Sequence, residues 1–375
     1  MQVINILEKL ISYPSVVGSA NDEIVGWIKT YLQSHGAAVT VLPGPEGDRA
    51  NVFATFGPRD VPGYILSGHM DVVPAGEAGW NSDPFQLHRD HDALFGRGTS
   101  DMKGFLACAL ATAAKISAMP LVRPIHLAFS YDEEAGCRGV PHMLAHLPQL
   151  CAPPLGAIIG EPSGMRAILA HKGKAAARVT IRGRSGHSSR PDLGLNAIHG
   201  ATDVLIAARD AAAELAKGPF EATFEPPYSS LQVGTVRGGQ AVNIIPDLCE
   251  VEFEARAISG IDPSNLLLPV RQAADALKSQ GFSVDWTDMS AYPALSLPEN
   301  AALAALLARL TNNEPLAAVS YGTEAGLFQQ AGVDAIICGP GDISRAHKAN
   351  EFILVSELAA CQSMIESLAD HCLTL

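Results

Sequence analysis

The sequence predicts an α/β protein: a mainly parallel sheet covered by helices, interrupted by an inserted ferredoxin-like α+β domain. Three observations predict it. In the outer parts of the chain, helices alternate with short, wholly apolar runs bounded by Gly and Pro, the pattern of strands buried on both faces. Near Lys172 the texture changes to strands that alternate apolar and polar residues. The length, 375 residues, suits about two domains of roughly 100–200 residues each. The expected division is 1–173 with 286–375 for the outer domain and 174–285 for the insertion.

The elements follow in order. "MQVINILEKLISYPSV" has helical apolar spacing, and "NDEIVGWIKTYLQSHG" is a second helix ended by Gly36. "AAVTVLP", "NVFATFG" and "GYILSGHMD" read as strands. "GFLACALATAAKIS" is a strongly apolar helix, "PIHLAFSYDEE" a strand, "GVPHMLAHLPQL" a helix and "LGAIIGEPSG" a strand. In the insertion, "AAARVTIRGRSG", "SSLQVGTVRGG", "LCEVEFEARAI" and "FSVDWTDMS" are strands. "LNAIHGATDVLIAARDAAAELA" and "PSNLLLPVRQAADALKSQG" are helices. The order β-α-β-β-α-β is the ferredoxin-like unit. "AALAALLARLT", "AGLFQQAG" and "DAIICGPG" return to buried α/β character.

Composition narrows the function classes. Hydrophobic residues at 47% and charged residues at 17% support a large core and argue against disorder. A net charge of -13 argues against a nucleic-acid partner, which needs basic patches. The cysteines stand singly at 108, 137, 151, 249, 338, 361 and 372. That irregular, odd set fits reduced thiols in a cytoplasmic protein better than a disulfide framework or a cysteine zinc site. The N-terminus has no basic region followed by an apolar run, so no signal peptide is expected. No apolar stretch reaches about 18 residues, so no membrane partner is expected.

The chemistry-bearing residues sit at element junctions. "SGHMDVVP" carries His69 and Asp71, and "GRGTSDMKG" carries Asp101. "SYDEEAG" carries Glu133 and Glu134, "IIGEPSG" carries Glu161, and "ISRAHKANE" carries His347. In a parallel sheet the loops after the strands share one edge, where ligands bind. Two histidines with several carboxylates and no thiolate suit zinc, cobalt or manganese. The donors suffice for two ions sharing a carboxylate, a pair that can polarise a carbonyl and acidify a water. Each feature has a plainer reading alone: "EE" is usually a solvated helix face, and Asp101 could cap the helix that follows. Those readings must hold at every junction independently, which favours the metal.

The motifs "SGHMDVVP", "GRGTSDMKG", "DEEAG", "GEPSG", "SGHSSRPDLGLNAI" and "GTEAG" resemble the di-zinc amidohydrolase and peptidase family. That family includes acetylornithine deacetylase, succinyl-diaminopimelate desuccinylase, aminoacylase and glutamate carboxypeptidase. The resemblance runs over nearly the whole chain in the expected order. It implies two divalent metal ions, zinc first and cobalt second, with His69, Asp101 and Glu161 on one. Asp101, Glu134 and His347 hold the other, so Asp101 bridges. It makes Glu133 the general base, and Asp71 the residue that orients the His69 ring.

The resemblance further implies that the insertion is a lid that also dimerises. By the same resemblance His187 in "GHSS" would polarise the scissile carbonyl, Asn243 in "QAVNIIPD" would meet the substrate, and Arg256 in "EFEARAI" would clamp a substrate carboxylate. Within the family, "GEPSGMRAILAHKG" and "YGTEAGLFQQAG" look most like acetylornithine deacetylase. There Gly322, Thr323 and Glu324 lie at the substrate, and Glu324 places a cationic side chain or is simply a helix N-terminal acid. Met70 departs from the pattern, in which Thr is common. The implied activity is hydrolysis of an N-acyl amino acid, N-acetyl-L-ornithine to L-ornithine and acetate in arginine biosynthesis. Desuccinylase, acylase, dipeptidase and carboxypeptidase are the sibling readings.

Overall fold

Six apolar runs pair into one sheet, in the order Ala38–Pro43, Ala50–Phe56, Ile125–Ser130, Tyr64–His69, Gly156–Pro162 and Ala335–Gly339. The computed structural model describes residues 1–374. Only Ala50–Phe56 runs against its neighbours; the other pairings across the sheet centre are parallel. Every position of Tyr64–His69, Ile125–Ser130 and Gly156–Pro162 is buried. Since successive side chains point to opposite faces, both faces of the sheet are covered.

Local rules explain the cover. Val3–Ile11 buries Ile6, Leu7, Leu10 and Ile11 on one stripe. Asp22–Ser34 ends where Gly36 adopts φ 77°, a left-handed stop that glycine takes without penalty. The alanine-rich helix Gly104–Ile116 is buried on nearly all sides and packs against Val3–Ile11 and Val355–His371. Phe105 from this helix lies so close to Gly160 that an added Cβ would sit 2.0 Å from its ring. Glycine there lets the helix reach the strand that carries Glu161. Among the described residues no helix is long and apolar enough to cross a membrane.

The chain divides into two compact units. The sheet just described belongs to Met1–Ala170, Ser296–Ala317 and Thr323–Leu375; the second unit is His171–Leu295 with Ala318–Gly322. The second unit has an antiparallel sheet in the order Ser230–Gly238, Leu248–Ala257, Gly173–Arg182, Ser283–Tyr292. Leu248–Ala257 alternates buried and half-buried positions. Its inward residues Val251 and Phe253 meet Val179, Ile181, Val204 and Val270. Helices Ala197–Leu215 and Leu268–Ala276 complete the β-α-β-β-α-β order.

Two details differ from the sequence reading. The run from Pro263 is not one helix but a 3₁₀ turn, a short α-helix and a second 3₁₀ turn; Pro269 has no N–H to carry an α-ladder back into the first turn, and Gly281 at φ 96° ends the run. The last strand continues to Tyr292, past the polar "TDMS" that marks its apparent end.

One core histidine makes acid stability testable. His126 is fully buried, its Nδ1 lies 3.0 Å from Thr55 Oγ1, and its ring stacks on Phe53. Burial, aided by the Arg59 charge, lowers its pKa to about 4. The unfolded chain therefore takes up this proton near pH 6.5 while the folded chain refuses it until about pH 4. The contribution is fully present above the unfolded value and is lost as pH falls through that window. Urea unfolding at about pH 7.5 and about pH 5 should show a loss of about 2 kcal/mol from this ring. His126→Gln should lack that share, and an identical pH dependence in wild type and variant would refute the assignment.

Candidate active site

The C-terminal ends of the parallel strands carry the polar residues. Tyr64–His69 ends on His69, Ile125–Ser130 leads into Glu133 and Glu134, and Gly156–Pro162 contains Glu161. Asp101 lies in the irregular turn Thr99–Lys103 before helix Gly104–Ile116, and His347 follows the turn Ile343–Arg345. The strand ends bring chain-distant residues together because parallel neighbours finish at one sheet edge.

Asp101 is at the centre. Its Oδ1 lies 3.1 Å from His69 Nε2, and its Oδ2 lies 3.2 Å from His347 Nε2. His347 Nε2 is also 3.0 Å from Glu134 Oε1, and His69 Nε2 is 3.8 Å from Glu161 Oε1. One donor atom each from His69, Glu133 and Glu161 fall within 4.8 Å of one another, as do atoms of His69, Asp101 and Glu134.

The electrostatics show what this cluster lacks. Burial first, then the neighbouring carboxylates, raise Glu133 to about 8 and push Glu161 well above the ordinary range. Burial and the Asp101 charge also raise Glu134. Asp101 is the exception. Burial opposes its ionisation, but hydrogen bonds from His347 and His69 hold it below the ordinary range. Hydrogen bonds to Asp101 and Glu134 raise His347 to about 10. Four carboxylates crowd two imidazoles, and the protein offers too little positive charge for all to ionise. Divalent cations would supply it, and imidazole with carboxylate donors and no thiolate fits zinc, cobalt or manganese.

Asp71 touches both the His69 ring and the glutamate pair. His69 Nδ1 lies 2.9 Å from the main-chain carbonyl of Asp71 and 3.6 Å from its carboxylate. Donation from Nδ1 to that carbonyl fixes the ring with Nε2 toward Asp101 and Glu161, the nitrogen a metal ion would take in place of its proton. The Asp71 carboxylate also accepts the main-chain N–H groups of Glu133 and Glu134, each at 3.1 Å. It fixes the glutamate pair. Cys137, which nothing in the sequence marked, points its Sγ at Glu133 Oε1 at 3.4 Å.

Glu324 is also placed differently from a substrate-facing acid. It is fully buried, and its two oxygens accept from Ser67 at 2.6 Å and Ser130 at 2.7 Å. Those serines belong to the strands that end in His69 and lead to Glu133. Thr323 Oγ1 accepts the Ala325 N–H at 3.0 Å, inside the same unit.

The other expected contact residues are in the second unit. His187 and Asn243 are exposed and adjacent: His187 pairs with Ile244 across two short strands, and the Asn243 carbonyl accepts the Ser188 N–H at 3.0 Å. His187 Nδ1 lies 2.7 Å from Ser189 Oγ. Arg256 binds Glu254 through Nε at 2.7 Å, while its buried Nη1 has no partner among the described residues. Gly322 faces Tyr292, where a Cβ would come 2.5 Å from the ring hydroxyl.

Comparison with known proteins agrees with this chemistry. Residues 65–371 match peptidase family M20/M25/M40. An acetylornithine deacetylase of Photorhabdus laumondii is 32% identical over 98% of this chain and 96% of its own length. Another, of Pasteurella multocida, is 32% identical over 93% of this chain and 91% of its own. The fold matches an M20 family metallo-carboxypeptidase of Sulfolobus solfataricus with a TM-score of 0.82, 18% identity and full coverage of both chains. It also matches a dinuclear metal-binding peptidase of Bacillus subtilis with a TM-score of 0.66 and 17% identity, covering 99% and 97%. The chain belongs to peptidase family M20/M25/M40 and is a metal-dependent hydrolase of that family.

Proposed function

We propose that the protein hydrolyses the amide bond of an N-acyl amino acid, with N-acetyl-L-ornithine as the preferred substrate. The observation that carries the chemistry is the Asp101 carboxylate set between His69 and His347, with Glu133 beside them. The names of the full-length relatives support the substrate. His69, Asp101 and Glu161 would hold one divalent ion and Asp101, Glu134 and His347 a second, zinc before cobalt. Two such cations supply Lewis acidity, polarising a carbonyl and lowering the pKa of water.

The remaining work falls to side chains. Glu133 accepts the proton of the attacking water and returns it to the departing amine. Its main-chain N–H is tied to Asp71 and its carboxylate to the Cys137 thiol. His187 donates to the carbonyl oxygen as negative charge develops there, and Asn243 joins it at the substrate. Arg256 meets the substrate α-carboxylate through Nη1, which has no partner among the described residues. Gly322 leaves the space Tyr292 occupies, and Thr323 caps the turn that carries Glu324. Glu324 is assigned to bracing the two strand ends through Ser67 and Ser130.

Self-association through the second unit belongs to the same proposal. Ser230–Gly238 is an edge strand, and Val236 on it is exposed. All seven cysteines are free, which supports a reducing, cytoplasmic setting.

The test is hydrolysis by metal-reconstituted protein of N-acetyl-L-ornithine, N-acetyl-L-methionine, N-succinyl-L,L-diaminopimelate and a plain dipeptide, each with and without chelator. The highest chelator-sensitive kcat/KM is expected on acetylornithine. A higher value on another of these would reassign the substrate to a sibling activity. Arg256→Lys should lower kcat/KM about tenfold on the carboxylate substrate, the scale of one charge-assisted hydrogen bond. It should change little on the α-amide analogue. Equal losses on both would remove Arg256 from the carboxylate.

A further inference from the structure

We propose that Arg97 and Glu351 are positioning residues that hold Asp101 and His347 in register for a shared cation. The inference rests on the reading of those two side chains as ligands. Arg97 and Glu351 are each 1% exposed and pair at 2.9 Å. A buried ion pair is weak support for stability, because desolvation offsets its attraction. The connections of this one lead to the site.

Glu351 Oε1 accepts the main-chain N–H groups of Ser100 at 2.9 Å and Asp101 at 3.0 Å. Its Oε2 accepts the N–H of Gly98 at 3.0 Å as well as Arg97. The turn that carries Asp101 thus has no regular ladder to satisfy these donors, and a single carboxylate does so instead. Gly98 opens that turn at φ 84°, and a Cβ there would lie 2.6 Å from Val72.

Arg97 reaches the other ligand loop. Its Nη1 donates to the carbonyl of Lys348 at 3.2 Å, directly after His347. Its Nη2 donates to the carbonyl of Pro74 at 3.2 Å and to the Glu77 carboxylate. His347 has φ 59°, a left-handed conformation that a non-glycine residue holds only when its surroundings impose it. The pair therefore ties the Asp101 turn to the His347 loop, and those side chains meet at 3.2 Å.

The test is Co²⁺ titration of the full-length metal-free protein, followed by visible d–d absorption and by chelator competition. Wild type is compared with Glu351→Gln and Arg97→Lys. Glu351→Gln places an amide NH₂ against main-chain N–H groups. Arg97→Lys keeps a charge beside Glu351 but cannot span the carbonyls of Lys348 and Pro74. Both variants are expected to bind the second cobalt equivalent about 10–100-fold more weakly, with a changed visible band. Unfolding of the metal-free forms is measured in parallel. If Glu351→Gln does not fold, Arg97→Lys decides. Variants that bind both equivalents with wild-type affinity and spectrum would overturn the positioning role. A wild-type protein that takes up no cobalt would overturn the ligand reading and the positioning role together.

Discussion

Glu133→Gln is expected to lower kcat by about 10²–10⁴, the usual contribution of a positioned general base, while metal content stays at the wild-type level. Glutamine preserves the shape and can still sit beside Cys137, but it cannot take a proton. The fold should tolerate the change. Burial and neighbouring carboxylates already push Glu133 up to about 8, so the metal-free protein holds it largely uncharged near neutral pH and a neutral amide takes its place at little cost. The variant should therefore fold and load normally and fail only in turnover. The same preparation gives metal content, unfolding midpoint and kcat. A kcat within about threefold of wild type, far short of the expected base contribution, would remove Glu133 from the proton-transfer step.

Asp101→Asn is the second large effect, and it should differ in kind. Asp101 is the cluster carboxylate that hydrogen bonds from both histidines hold in its charged form. Each of its oxygens serves a different ring. An amide keeps one acceptor and turns a donor toward the other ring. Metal affinity should fall by at least about 100-fold, at the upper end of what a supporting partner alone costs, and activity at limiting metal should fall with it. Excess metal should restore little, because the shared carboxylate is gone. Isothermal titration of metal-free wild type and variant with zinc checks this. Wild-type affinity at both sites in Asp101→Asn would contradict the bridging role.

The fold was largely legible because its apolar runs are short and cleanly bounded. A strand such as "YILSGH" is buried at every position, and such a run reads as a sheet centre in any context. Direction was less legible: nothing in "ANVFATF" marks it as the strand that runs against its neighbours. The break in the helix after Pro263 could have been found from Pro269 alone. At the site, His69, Asp101, Glu133, Glu134, Glu161 and His347 stand out because charge at an apolar strand end is rarely idle. What supports them does not stand out. Glu351 in "HKANE" looks like any solvated acid, and Arg97 in "FGRG" like any loop cation. Only the folded chain shows them buried together. Asp71 was legible as a residue tied to His69, but the split between its carbonyl and its carboxylate is a matter of main-chain geometry. Glu324 reads naturally as a helix N-terminal acid, and its two serine partners lie 257 and 194 residues away in sequence.

The most direct test of the central claim is to titrate metal-free protein with zinc and record acetylornithine hydrolysis and bound metal at each step. If two ions act at the Asp101 cluster, the metal-free protein is inactive, two equivalents bind, and activity tracks their uptake. Full activity without metal, or activity that ignores zinc while none binds, would contradict it.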